Sequence, residues 1–242
     1  MTIYFLFRNA AHLKRNNKIR KKSNHSLISK KLCIFALIMV IKRLFIVAHP
    51  YEIGLERLVK EGFSLLKKPF EHTQLYVNGQ TAVALIGIGA EEALRSMQAL
   101  HEEGWLSHPI DILLSGSAGS YTIPVLNVVQ CSTSFPNVPM ELPIANIECV
   151  HEFVSPSSPH PELHQPDTAF DMESETIIYF LQQQSPEAIG TFSIVKVISD
   201  DGSGSLGDWA SVCCQHVQPR VIEVLRSFVA HTSTPKANIQ SL

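Results

Sequence analysis

Residues 43–53 read RLFIVAHPYEI and are the clearest indication of the class of fold. Its apolar part, Leu44 to Ala48, is continuous, as in a strand that is buried on both faces. The segment that follows, Ile53 to Lys68, has apolar residues at helical spacing and predicts a helix. A fully buried strand that leads into a helix indicates an α/β protein.

Strands and helices alternate through the rest of the chain. Gln74–Val77 and Thr81–Ile88 flank Asn78-Gly79, which is the strongest short signal of a β-hairpin. The later predicted elements are helices at 90–103, 173–184 and 209–229, the last broken near Pro219, and strands at 111–114, 125–131 and 194–198, with an irregular segment at 136–166. We therefore expect a three-layer α/β sandwich, with a central mixed, mostly parallel sheet and helices on both faces.

The beginning of the chain differs from the rest. No Asp or Glu precedes Glu52, and about half of the Lys and Arg residues lie before it. We expect residues 1–42 to be a basic, disordered extension, or sequence upstream of a true start at Met39. A membrane or export signal is less consistent with the sequence, because the apolar run Leu32–Ile41 is about half the ~20 residues of a membrane span and no small-x-small cleavage site follows it.

Composition predicts one folded domain in a reducing compartment. The chain has 242 residues, of which 45% are hydrophobic and 17% charged, and this is enough for one domain with a full core. We place that domain at 43–231 and expect a flexible tail at 232–242. Five irregularly spaced cysteines argue against a disulfide framework and for the cytoplasm. The acidic body argues against nucleic acid as a partner.

Small or acidic residues end three of the predicted strands. Gly87-Ile88-Gly89 precedes a helix, but Glu92 stands where a dinucleotide fingerprint needs its third glycine. Ser115–Ser120 follows a buried strand without a P-loop lysine, and Ser199-Asp200 ends another strand. Each motif also fits a local role as a turn or helix cap. Because ligands bind beyond the carboxyl ends of strands in open α/β sheets, we expect these motifs to form one site.

A metal site and a serine nucleophile are both poorly supported. His160 and His164 are four residues apart with Glu162 between them, but neighbouring prolines disfavour a regular helix and no third ligand is suitably spaced. No G-x-S-x-G elbow is present in the sequence. We expect neither a metal nor another cofactor.

Taken together, these motifs resemble the nucleosidase branch of the purine nucleoside phosphorylase superfamily. Members of this branch hydrolyse 5′-methylthioadenosine and S-adenosylhomocysteine, and relatives act on futalosine or aminofutalosine in menaquinone synthesis. The matching residues extend from Arg43 to about Ala230. The sequence departs from the family pattern at Asp171, which replaces the first Glu of an E-M-E motif, and before Phe153, where the usual S-G-D is missing.

The resemblance implies a role for each matching residue. Asp200, in an I-S-D motif, would protonate the leaving base, and Glu52 would activate water. Met172 would pack on the ribose, and Glu173 would bind the ribose hydroxyls. The remaining implied site residues are Phe153 and Ser199 for the base and, near the sugar or water, Gly87, Gly89, Ser117, Ala118 and Gly119.

The chemistry of these residues favours hydrolysis. Cleavage of an N-glycoside needs a protonated leaving group and a stabilised cationic sugar, so a neutral Asp200 and an ionised Glu52 would divide the acid and base work. Phosphorolysis needs an anion site, whereas Glu91 and Glu92 follow the glycine pair. We expect a purine nucleosidase without membrane attachment, and the resemblance implies a homodimer. The alternatives are a phosphate-dependent nucleoside phosphorylase and a non-catalytic nucleoside-binding relative.

Overall fold

The structure is a computed structural model that describes residues 41–67, 73–138, 140–154, 160–184, 188–203 and 206–231. Its strands are β1 (Arg43–Val47), β2 (Ser64–Lys67), β3 (Gln74–Asn78), β4 (Thr81–Leu85), β5 (Ile110–Gly119), β6 (Val128–Cys131), β7 (Ile144–Cys149), β8 (Thr168–Asp171) and β9 (Ile189–Asp200). Its helices are α1 (Pro50–Ile53), α2 (Leu55–Lys60), α3 (Ala90–Glu102), α4 (Ser174–Gln182), α5 (Leu206–Val212) and α6 (Gln218–Ala230). The predictions for residues 1–40 and for the tail 232–242 lie outside the described residues.

All nine strands of the described residues form one sheet, in the order β2-β3-β4-β1-β5-β8-β7-β6-β9, and β9 also pairs with β5. Five of the strand pairs are parallel. Four are antiparallel. The prediction of an α/β fold with a mixed sheet is therefore confirmed. The finer prediction of three layers stays a prediction.

Strand β1 lies in the interior of the sheet, between β4 and β5, and runs parallel to both. Phe45 and Val47 pack in a core cluster that includes Leu225 and Phe228 of α6. Because side chains alternate along a strand, Leu44 and Ile46 point to the opposite face, and they are buried as well. The continuous apolar run thus corresponds to a strand that is covered on both faces.

The predicted hairpin is present. Strands β3 and β4 pair antiparallel, with Asn78 opposite Thr81, so that Gly79 and Gln80 form a two-residue turn. Gly79 has a φ of 55°, a conformation that two-residue hairpin turns require and that glycine adopts without steric cost.

The helix predicted for 53–68 is wrong in its second half. Helix α2 ends at Lys60, and Gly62 follows with a φ of 85°, which stops helical continuation. Ser64–Lys67 then forms an edge strand that pairs antiparallel with β3. The apolar residues kept a helical spacing beyond Lys60 because Phe63, just before the strand, is also buried in the core.

Two more boundaries differ from the predictions. Ser115–Gly119 continues β5 rather than forming a loop after it, because β9 pairs with β5 along its length. The segment predicted to be irregular contains β7, and Asp171 ends strand β8 directly before the helix predicted from Glu173. Glu173 is the N-cap of α4.

The C-terminal helical region has its irregularity where proline predicts one. Cys213–Val217 is a π-helical turn between α5 and α6, and the backbone N–H of Gln218 donates to the Cys213 carbonyl, five residues earlier. Pro219 lies in the first turn of α6, where its missing N–H is tolerated. None of the helices in the described ranges has both the length and the apolar character needed to cross a membrane.

Candidate active site

A cavity of about 290 Å³ opens where the carboxyl ends of β5, β8 and β9 meet the segment after β1. Its wall includes Glu52 from α1 and Asp200 from the end of β9. The other predicted site residues that line it are Ser117, Ala118, Gly119, Phe153, Met172, Glu173 and Ser199. The structure therefore brings together in one cavity all the predicted site residues except Gly87 and Gly89.

Glu52 is held by hydrogen bonds from two parts of the chain. Its Oε2 accepts the backbone N–H of His49 at 3.0 Å, which closes a capping box at the start of α1. Its Oε1 accepts the backbone N–H of Ser117 at 2.7 Å and the Ser117 hydroxyl at 2.6 Å. The side chain is only 3% exposed. Three donors thus fix a buried carboxyl group at the edge of the cavity.

Gly116 makes room for this carboxyl group. Its φ is 132°, which disfavours any L side chain, and a Cβ atom there would lie 2.7 Å from Glu52 Oε1. A side chain at position 116 and the observed position of Glu52 are therefore mutually exclusive.

Asp200 is also held by hydrogen bonds at the wall of the cavity. Its Oδ2 accepts the Ser199 hydroxyl at 2.7 Å, and its Oδ1 accepts the backbone N–H of Gly202 at 3.0 Å. Asp200 pairs with Gly119 of β5, where an added Cβ would lie 3.0 Å from Asp200 Oδ1 and 2.2 Å from the Phe170 ring. The carboxyl group and the aromatic ring therefore approach the same glycine.

The two acids both contact strand β5 near its carboxyl end. Glu52 binds Ser117, and Asp200 lies against Gly119, two residues further along β5. Both carboxyl groups therefore lie at the wall of the cavity, near the carboxyl end of β5.

Glu173 and Met172 lie beside the glycine pair. Glu173 Oε1 accepts the backbone N–H of Gly89 at 2.7 Å, so Gly89 supports the site although it does not line the cavity. Met172 Cε approaches the same glycine. Burial, together with the negative charge of Asp171, raises the pKa of Glu173 to about 7. Gly87 instead donates its N–H to the carbonyl of Ala48 and has no contact of this kind.

The sequence reasoning missed a buried ion pair behind these residues. Lys196 Nζ lies 2.7 Å from Asp171 Oδ2. Asp171 Oδ1 accepts both the backbone N–H and the hydroxyl of Ser174. Burial lowers the pKa of Lys196, but the negative charges of Asp171, Glu173 and Glu52 outweigh it, so the pKa is raised and the amine is charged. The available signal was a lysine inside the apolar run 192–198, because a charge in a fully buried strand requires a partner.

Apolar side chains form the rest of the wall. Val150, Val154 and Phe170 belong to one core cluster, and Phe153 lines the cavity beside them. Trp209 of α5 lines it on the Glu52 side. Neither Phe170 nor Trp209 was predicted from the sequence, since isolated aromatic residues are more often part of a core. The wall suits a flat, apolar ring with a few polar atoms.

The two histidines considered for a metal take other roles. The His164 ring stacks on Tyr121 with centroids 4.1 Å apart, and His160 Nδ1 lies 3.0 Å from Glu162 Oε1. Within the described residues, no group of three or more His, Cys, Asp or Glu side chains is placed to hold a metal ion.

This sheet and cavity define a fold, and solved structures share it. The chain shares its fold with solved 5′-methylthioadenosine nucleosidases and a futalosine hydrolase, which is the fold that the resemblance of its motifs implied. Neither a protein-family model nor a curated protein sequence matches the chain.

Three solved structures illustrate the similarity. A mutant 5′-methylthioadenosine nucleosidase of Helicobacter pylori, with 5′-methylthioadenosine in its active site, has a TM-score of 0.61 and 13% identity, over 78% of this chain and 98% of that one. The futalosine hydrolase of the same organism has a TM-score of 0.58 and 16% identity, over 79% and 98%. An adenine-bound nucleosidase of Chlamydia trachomatis has a TM-score of 0.53 and 21% identity, over 78% and 99%.

Proposed function

We propose that this protein hydrolyses the N-ribosidic bond of a purine-type nucleoside and releases the free base. The observation that carries the proposal is that Glu52 and Asp200 line one cavity, with Met172 and Glu173 beside them. The solved structures with this fold include nucleosidases that hold 5′-methylthioadenosine or adenine. Nucleosides of the 5′-methylthioadenosine, S-adenosylhomocysteine and aminofutalosine type are the proposed substrates.

In the proposed mechanism, the two acids act on opposite sides of the ribose. Asp200 protonates N7 of the purine, which turns the base into a better leaving group. As the C1′–N bond breaks, Glu52, as a carboxylate, stabilises the positive charge that develops on the sugar, orients a water molecule toward C1′ and accepts the proton that this water loses. Glu173 accepts hydrogen bonds from the ribose hydroxyls, while Met172 packs against the sugar. Phe153 lies on the base, and Ser199 orients the Asp200 carboxyl group.

The electrostatics of the cavity support hydrolysis rather than phosphorolysis. Both donors of Ser117 are already bound to Glu52, and Lys196 is paired with Asp171. A phosphate ion at this place would face Glu52 and Glu173 without a free cation among the described residues that line the cavity. Water, which is neutral, avoids this repulsion.

We also propose a three-layer architecture, a cytoplasmic location and a homodimer. Contacts between α3 and α4, and separately between α1 and α6, support three layers with helices on both faces of the sheet. Free Cys131, Cys149, Cys213 and Cys214 support a cytoplasmic location. We propose a homodimeric domain over residues 43–231, which light scattering and limited proteolysis would test.

Base release from a panel of nucleosides tests the function. Purified protein is incubated with 5′-methylthioadenosine, S-adenosylhomocysteine, aminofutalosine and inosine, with and without phosphate, and the products are separated by chromatography. The proposal predicts free base and free sugar from at least one of them without phosphate, and no turnover by Glu52→Gln. Strict phosphate dependence with a sugar 1-phosphate product would establish the phosphorylase instead. Thermal stabilisation by nucleosides without any product would establish a binding protein.

A further inference from the structure

Trp209 is connected to Glu52, the proposed general base, by an unbroken chain of hydrogen bonds. Its indole N–H donates to Ser117 Oγ at 2.9 Å, and the Ser117 hydroxyl donates to Glu52 Oε1 at 2.6 Å. The three residues come from α5, β5 and α1, so the chain joins three separate elements at the wall of the cavity.

The direction of this chain follows from the chemistry of its members. An indole N–H only donates, a carboxylate only accepts, and a serine hydroxyl rotates freely with one proton and two lone pairs. Because the Trp209 indole N–H donates a hydrogen bond to a lone pair of the Ser117 oxygen, the single hydroxyl proton of Ser117 is directed to Glu52. Without the indole donor, the hydroxyl would be free to turn toward other acceptors or toward water.

Trp209 also packs on the second group that holds Glu52. Its ring lies 5.9 Å from the ring of His49 and 6.5 Å from that of Tyr51, measured between centroids. His49 is the residue whose backbone N–H donates to Glu52 Oε2. One aromatic side chain thus contacts both residues that donate to this carboxyl group.

We propose that Trp209 is a positioning residue for Glu52. Its indole directs the Ser117 hydroxyl, and its ring supports His49, the N-cap of α1. The Glu52 carboxyl group is thereby held in one orientation toward the attacking water. This inference rests on the proposed function, because it takes Glu52 as the base. It assigns Trp209 no direct contact with the reacting atoms.

Steady-state kinetics of Trp209→Phe test the positioning role, because phenylalanine keeps a ring but removes the indole N–H. Loss of one hydrogen bond to the Ser117 oxygen is expected to lower kcat about 3- to 10-fold. The KM for the nucleoside should change less than about 2-fold, since binding is left to other side chains. The matched control is Trp105→Phe, which alters the other, fully buried tryptophan and should leave kcat unchanged.

In a Ser117→Ala background, Trp209→Phe should have no further effect on kcat. An equal loss in both backgrounds would overturn the inference.

A second measurement is independent of activity. Protein labelled with ¹⁵N-tryptophan gives one indole N–H signal for Trp105 and one for Trp209, and Trp209→Phe assigns them. Ser117→Ala should move the Trp209 signal and leave that of Trp105 in place, with Ser117→Cys as the substitute if the alanine variant does not fold. A Trp209 signal that stays in place in both Ser117 variants would overturn the inference. If the Trp209 signal moves in these variants but the wild-type protein turns over no nucleoside, the proposed function fails while the chain of hydrogen bonds is supported.

Discussion

Lys196 Nζ lies 2.7 Å from Asp171 Oδ2, and both side chains are almost completely buried. The pair links β9 to the end of β8, directly before Met172 and Glu173. Because the same aspartate also receives two hydrogen bonds from Ser174 at the start of α4, this ion pair fixes the turn that carries Met172 and Glu173. The geometry of the site therefore depends on a charge pair that has no contact with solvent.

Removal of the lysine charge should destabilise the protein strongly. Lys196→Met leaves Asp171 buried without its cation, and loss of one partner of a buried pair costs about 3–5 kcal/mol in the free energy of unfolding. The control is Arg226→Met, which breaks an ion pair between Glu61 and an exposed arginine and should lower the free energy of unfolding far less. Urea unfolding of both variants measures the difference. Equal losses would show that the buried pair does not hold the turn.

Ionisation of Glu173 should make the protein less stable as the pH rises. Its pKa is raised from 4.5 to about 7, so between these values the folded protein retains a proton that the unfolded chain has lost. The free energy of unfolding therefore falls as the pH rises through this interval. Glu173→Gln removes the effect, and its Tm should match that of the wild type near pH 4.5 and exceed it at pH 8. The exposed neighbour Glu175→Gln should show no such divergence. A Tm difference that does not change with pH would contradict the assignment.

An added methyl group at position 116 should abolish activity. In Gly116→Ala, the Cβ atom would occupy the space of Glu52 Oε1 and require a strained φ, so the carboxyl group must move. Gly79→Ala is the control, because Gly79 also has a positive φ but an added Cβ meets open space. Both variants should lose stability, on the order of 1 kcal/mol from the backbone alone. Only Gly116→Ala should lose base release, and a fully active Gly116→Ala enzyme would remove Glu52 from the mechanism.

Asp200 and Asp201 are adjacent, but only the loss of Asp200 should lower kcat. Asp200→Asn removes the proposed proton donor and should lower kcat by about 10²- to 10⁴-fold, the usual contribution of general acid catalysis. Asp201 is exposed and bonds only to Ser203 in the described structure, so Asp201→Asn should keep wild-type kcat. Product formation by both variants, with folding checked by circular dichroism, decides between them. Comparable losses would place the acid elsewhere.

Local sequence patterns were sufficient for the elements that are defined locally. The run Leu44–Ala48 predicted β1, and Asn78-Gly79 predicted the hairpin, because burial on both faces and a tight turn each leave a short signature. Strands β7 and β8 were missed, since they are six and four residues long and are formed by pairing with segments distant in sequence.

The candidate site was predicted in part for a similar reason. Glu52 and Asp200 follow or end predicted strands and Glu173 begins a predicted helix, so motif order placed them together. Lys196 and Trp209 act through contacts with residues far along the chain, and spacing alone does not reveal such contacts. Lys196 did carry a physical signal, a charge in the middle of a buried strand, that predicts a buried partner without naming it.

The most direct test of the proposed mechanism is the structure of the Asp200→Asn variant with an intact nucleoside bound. We expect the ribose to lie between the two acid positions, with N7 of the base facing residue 200, C1′ facing Glu52 and the ribose hydroxyls on Glu173. A nucleoside bound outside this cavity, or one whose base faces Glu52, would contradict it.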